Sequence, residues 1–339
     1  MSSLRDQFPI FWNHPDLVYL DSASSTQKPK YVIEKTSEYI ATYYANIGRG
    51  SYFLAERSDY FYYTCKEKIA QLINVSAQEI FFWYNSSHCI NSIGYSLAQS
   101  WYFQLWWEII ISVTEHHSNI LIRQQFAKQY DLILRRVWLT KEHTIDMEEL
   151  RSLVNKKTCL VCLTLCSNVL GIRNNMSDIR SIIGAKCFLL VDGSQAIPHY
   201  SIDIQWIDAD AMVFSGHKFL AYTGVGVWYI KHSFIKQLKP WLVWWGIVED
   251  VDYQQWLFKH SIEKFEVWTP NIIGIVSLYY ALKRRENYWW YQQREREEKE
   301  LLSYTLEQCL SLSDILTMVH SWRKDRIGIV SFIPNNDSL

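Results

Sequence analysis

The sequence predicts an α/β fold with a mostly parallel sheet, and three observations predict it. Short, unbroken apolar runs recur along the chain, amphipathic helical stretches lie between many of them, and more than one run ends in a residue able to hold a ligand. A strand covered on both faces reads as a continuous apolar run, whereas a strand with one wet face alternates. Open sheets of this class take their ligands just beyond the carboxyl ends of the strands.

The expected strands are Glu79 to Trp83, Glu108 to Ser112, Leu132 to Leu134, Thr158 to Leu165, Cys187 to Val191, Ala211 to Phe214 and Val225 to Ile230. Between them, Asp59 to Leu72 and Met147 to Val154 carry the three-to-four spacing of amphipathic helices. After Val225 to Ile230 the pattern changes. Asn271 to Lys283 predicts a helix, Asn287 to Leu310 a long helix rich in Glu, Arg and Lys, and Arg326 to Phe332 a strand. A helix and one strand make a poor domain, so this last part is expected to be an incomplete small α+β domain. No repeat or Pro/Gly/Ser linker breaks the chain.

With 339 residues, 49% of them hydrophobic, the chain can bury a large core, which excludes disordered and fibrous classes. Lys and Arg total 34 against 35 Asp and Glu, so nothing in the charge balance favours nucleic acid or an anionic membrane over a small-molecule substrate. The N-terminus lacks the pattern of a secretory signal and no run reaches the ~18 apolar residues of a membrane span. A cytoplasmic protein is expected. Seven cysteines, an odd set in apolar surroundings, suit reduced core thiols. Cys159 and Cys162 form a CxxC, but within a buried strand they favour packing over a metal site. Glycine is scarce, 12 residues, while tryptophan reaches 16, against a usual glycine share of ~7%.

The chemistry concentrates in a few places. Phe214-Ser-Gly-His-Lys-Phe219 follows a buried run and precedes the turn Thr223-Gly-Val-Gly226. A lysine delivered by a strand end into a loop with Ser, Gly and His suits imine formation with a carbonyl cofactor, although a lone lysine is more often simply solvated. Asp192 ends the run Phe188 to Val191. A carboxylate there can pair with a protonated pyridine nitrogen, or cap a helix. Thr114-Glu-His-His-Ser-Asn119 offers a flat imidazole for stacking, and its adjacent histidines lack the spacing of a metal motif. Asn85-Ser-Ser87 sets hydroxyls and amides at a helix N-terminus, a phosphate site or an ordinary cap.

Together these residues resemble the aminotransferase class V family of fold-type I enzymes, and within it the SufS-like cysteine desulfurases. The likeness runs in order from Tyr19-Leu-Asp-Ser-Ala-Ser-Ser-Thr-Gln-Lys-Pro29 through Asn46-Ile-Gly-Arg-Gly50, Thr114 to Asn119, Ser167-Asn-Val-Leu-Gly171, Val191-Asp-Gly-Ser-Gln195 and Ser215-Gly-His-Lys218 to Phe265-Glu-Val-Trp-Thr-Pro270. It implies a pyridoxal 5'-phosphate (PLP) large domain over residues 21–282, a mostly parallel seven-stranded sheet with helices on both faces. Residues 1–20 would pack with the incomplete small domain at 283–339. Lys218 would be the Schiff-base lysine and proton-transfer base, Asp192 the partner of the pyridine nitrogen, and His116 the stacking ring. Asn168 and Gln195 would lie near the phenolic oxygen, and Ser86, Ser87, Ser215 and His217 would hold the phosphate. Thr269 would reach the phosphate of a partner subunit, which implies a homodimer. The reaction implied converts L-cysteine to L-alanine and protein-bound sulfur for iron–sulfur cluster assembly.

The resemblance also implies a sulfur-accepting cysteine loop and a carboxylate-binding arginine that have no counterpart before Leu339, so desulfurase activity is expected to be impaired. Several positions depart from the family's residues, most of them at glycines: Asn85, His88, Gly48, Ala221-Tyr222, Val243-Trp-Trp245 and Trp268. These are expected to distort the cofactor site, and miscoding or decay of the gene would produce such swaps. Arg49 and Arg57 are the candidate carboxylate anchors that are left, with a surface salt-bridge role equally open to each. Two other readings stay open: another class V enzyme, such as a selenocysteine lyase or an aminotransferase-like protein, or a non-catalytic relic that dimerises or binds a sulfur-acceptor protein.

Overall fold

Each of the seven apolar runs forms a strand. The computed structural model describes residues 4–48, 50–100, 102–243, 247–266, 269–286, 290–319 and 325–335. In chain order the strands are β1 (Ile80–Trp83), β2 (Glu108–Ser112), β3 (Ile133–Val137), β4 (Thr158–Thr164), β5 (Phe188–Asp192), β6 (Ala211–Ser215), β7 (Gly226–Ile230), β8 (Val248–Val251), β9 (Trp256–Phe258), β10 (Leu316–Met318) and β11 (Phe332–Pro334). The helices are α1 (Ile10–Asn13), α2 (Lys30–Thr42), α3 (Phe53–Ile73), α4 (Ser86–Gln99), α5 (His117–Gln129), α6 (Met147–Leu153), α7 (Met176–Ile183), α8 (Ile204–Ile207), α9 (His232–Ile235), α10 (Ile272–Glu286) and α11 (Trp290–Ser311). The seven-stranded sheet has the order β1-β7-β6-β5-β4-β2-β3.

Two compact units share these elements. The first holds residues 1–102, 202–205 and 210–288. Within it β7 runs antiparallel to both β1 and β6. All four residues of β1 and all five of β6 and β7 are buried, which is why they read as unbroken apolar runs. Helix α3 buries Ala55, Ser58, Phe61, Tyr62, Cys65, Lys66, Ile69, Ala70 and Ile73, one stripe at three-to-four spacing. It stops at Asn74, whose left-handed backbone (φ 57°) ends the helical bonding. The N-terminal segment is tied down here, since the Arg284 guanidinium donates to Gln7 and lies over the Phe8 ring.

The second unit holds residues 103–201, 206–209 and 289–339. Its strands β5, β4, β2 and β3 pair in parallel. Strands β2, β4 and β5 are buried throughout, while β3 is half-exposed and carries Arg135, which pairs with Glu108 at 3.3 Å. Helix α6 begins where Asp146 Oδ1 accepts the amides of Glu148 and Glu149, both at 3.0 Å.

Helices α10 and α11 fall where expected, but the predicted strand at Arg326 to Phe332 does not. The ladder is shorter and later: β11 pairs antiparallel with β10. Residues before it are held by other partners. Arg326 bridges Ile172, the Ile327 amide donates to the Gly171 carbonyl at 2.9 Å, and the Gly328 amide donates to Glu298 at 2.7 Å. Backbone groups satisfied this way are lost to a strand ladder. Gly171 itself sits at φ +68°, with Ile327 backbone 3.0 Å from where a Cβ would be, so glycine is required there.

Candidate active site

The first unit holds six of the residues singled out from the sequence and brings five of them together. Strand β1 delivers the chain to Asn85, whose backbone is extended (φ −169°) and whose Oδ1 accepts the His88 amide at 2.9 Å, capping α4. Asn85 therefore caps without strain, and the distortion expected from losing a glycine does not arise at this position. Ser86 and Ser87 open the helix, half-buried. The Ser86 amide donates to Ser215 Oγ at 2.9 Å, and Ser215 Oγ lies 2.9 Å from Ser86 Oγ. Ser215 is 2% exposed at the end of β6. The chain then makes one tight turn, Gly216–Lys218, bearing His217 and Lys218.

Two neighbours hold this cradle. Gly226, the first residue of β7, lies so close to the Asn85 backbone that an added Cβ would come within 2.5 Å of it. Burial keeps the His217 imidazole below its ordinary pKa, helped by the charges of Lys218 and Lys28, so the ring is neutral near pH 7. Ala221 is buried, and the Tyr222 amide donates to Ser277 Oγ at 2.9 Å. Thr269 is exposed. Arg57 lies against the rings of Tyr43, Tyr60 and Phe61. Arg49, Trp244, Trp245 and Trp268 lie outside the described residues.

The second unit holds the other four. Asp192 ends β5, 6% exposed; its Oδ1 accepts the Ser194 amide at 2.9 Å and its carbonyl accepts the Leu165 amide at 2.8 Å. Gln195 follows, buried, and Asn168 is half-buried in the loop after β4. His116 caps α5 through Nδ1, which accepts the Ser118 amide at 3.2 Å, while its ring stays exposed.

Sequence reasoning passed over one group here. Glu115, 5% exposed, accepts from Ser112 Oγ at 2.6 Å, the Thr164 amide at 2.9 Å and Asn119 Nδ2 at 2.9 Å. It thereby joins the ends of β2 and β4 to α5. Burial raises its carboxyl to about 7, against the pull of those three donors, and the nearby Asp192 adds to the rise. Its signal was a glutamate three residues past the end of an apolar strand, overshadowed by the two histidines that follow. Thr26 and Lys28 were also missed; both donate to the His217 carbonyl, about 190 positions away.

The donor set fits PLP. A long helix N-terminus with two serines, a third serine in contact with it and a neutral imidazole suits a phosphate. A buried carboxylate suits a pyridinium, and an amine one turn beyond a strand end suits an aldehyde. Among the described residues no group of His, Cys, Asp and Glu could hold a metal ion, and no helix is long and apolar enough to cross a membrane.

The model of the family "Aminotransferase class-V" matches residues 18–336. A probable cysteine desulfurase of Borreliella burgdorferi is 33% identical over 98% of this chain and 81% of its own. One from Synechocystis sp. is 35% identical over 82% of this chain and 67% of its own. The solved apo structure of a cysteine desulfurase from Thermococcus onnurineus NA1 superposes with a TM-score of 0.91 at 28% identity, covering 100% of this chain and 84% of that one. The chain belongs to the aminotransferase class V family, as a cysteine desulfurase-like member with the α/β fold of the fold-type I PLP enzymes.

Proposed function

We propose that this chain takes sulfur from L-cysteine, leaving L-alanine, and passes it on toward iron–sulfur cluster assembly. PLP, when bound, supplies the electron sink that draws charge from the substrate α-carbon. The chain's residues do the rest. The Ser86 and Ser87 amides and hydroxyls, Ser215 and His217 hold the phosphate; Asp192 holds a proton at the pyridine nitrogen; and the exposed His116 ring stacks on the cofactor. Asn168 and Gln195 lie near its phenolic oxygen. Lys218 carries the amine that captures the aldehyde and then moves the α-proton. Thr269 serves the phosphate of a second copy, in a homodimer working in the cytoplasm. The PLP domain spans 21–282, with 1–20 packing on the small domain at 283–339.

The observation that carries this reading is the Ser86–Ser215 contact, which sets the N-terminus of α4 beside the turn bearing Lys218. The cysteines bear on where the sulfur goes. Six of the seven are buried, and burial raises the thiols of Cys159, Cys162 and Cys166 to about 12, 11 and 12. Such thiols are poor nucleophiles. Cys309 is half-buried. A sulfur-acceptor protein is the recipient proposed for the sulfur.

The visible absorption spectrum after PLP is added tests the reading. A Schiff-base band in the wild-type protein, lost in Lys218→Ala, is expected. A band that survives in Lys218→Ala, or none in either protein, overturns it.

A further inference from the structure

The carbonyl oxygen of His217, the group immediately preceding the Lys218 amide, is unusually well held. The Thr26 amide donates to it at 3.1 Å, Thr26 Oγ1 at 2.9 Å and Lys28 Nζ at 3.1 Å. Thr26 Oγ1 in turn accepts the Leu220 amide at 3.0 Å, so both sides of the Lys218 turn are tied to one short segment. That segment is irregular chain between residue 21 and α2, and nothing in its secondary structure requires these bonds. Three donors on one carbonyl fix a peptide plane far more firmly than the single bond a tight turn needs.

Lys28 adds charge as well as a bond. It is half-buried, and burial lowers its amine to about 8. Its charge and that of Lys218 act together against protonation of His217.

We propose that Thr26 and Lys28 are positioning residues for Lys218: they clamp the His217 carbonyl and so fix the peptide that bears the Lys218 amine. This deepens the reading of Lys218 as the amine that meets PLP and rests on it.

Hydrogen exchange of the peptide that bears Lys218, read by mass spectrometry with and without PLP, tests the clamp directly. Lys28→Met and Thr26→Val, each removing a donor to the His217 carbonyl, should quicken exchange there and slow PLP capture, each by about tenfold. Lys28→Arg, which keeps a donor, should restore both. Exchange in Lys28→Met and Thr26→Val that overlays wild type, or failure of Lys28→Arg to rescue, overturns the clamp. The PLP band of the same samples separates the two ideas. Quickened exchange without a band in any sample sinks the cofactor reading alone, and a band with unchanged exchange sinks the clamp alone.

Discussion

The amide of Thr164 donates to Glu115 Oε1 over 2.9 Å, within surroundings that leave the residue 5% exposed. That bond fixes the end of β4, whose Thr164 pairs in register with Asp192. A carboxyl so placed connects the pH of the solution to the residue expected to face the cofactor nitrogen.

Its direction follows from linkage. Below its ordinary value near 4.5, Glu115 is protonated in the folded and the unfolded chain alike, and its contribution to stability is fully present. As pH rises through about 7 the folded chain must ionise a buried group, and that contribution is lost. The loss is on the order of 3 kcal/mol. The urea midpoint is therefore expected to fall between pH 5 and pH 8, and Glu115→Gln should flatten the fall. An equal slope in wild type and variant would mean that other groups control it.

Gly226→Ala forces a methyl group against the Asn85 backbone. Overpacking of this kind costs about 1–3 kcal/mol, and relief can come only by moving β7 from the loop that starts α4. PLP affinity is expected to fall at least tenfold, with a lower melting temperature, in a fluorescence titration paired with a thermal scan. Unchanged affinity would show that the cradle tolerates widening.

Lys66 and Glu266 form an ion pair at 2.6 Å with side chains 7% and 19% exposed, and the Tyr62 hydroxyl also donates to Glu266. Removing one partner strands the other, at about 3–5 kcal/mol. Lys66→Met should lower the urea midpoint markedly, and the double variant Lys66→Met/Glu266→Gln should recover much of the loss. A double variant no better than the single one would assign the effect to packing of the lysine stem.

How much of this was legible in the sequence depended on range. Apolar runs gave the seven strands because burial on both faces leaves a local imprint, and Lys218 and Asp192 were found because they stand where such runs end. Asn85 was misjudged: a glycine position suggested a strained backbone, but the chain there is extended and the amide side chain caps a helix. The strand expected from Arg326 failed because Gly171 and Glu298, distant in sequence, take its backbone groups. Thr26 and Lys28 reach His217 across about 190 residues, and no spacing rule links such positions.

The pairing of β1 with β7 also sets a timetable for synthesis. Ile80 meets Tyr229, so the first strand to leave the ribosome waits for one made about 150 residues later. At ~5–20 residues per second that wait lasts roughly 10–30 s. Throughout it, Ile80-Phe-Phe-Trp83 is a sticky edge without its neighbour. The edge of the sheet at β1 is completed only when Ile230 has emerged.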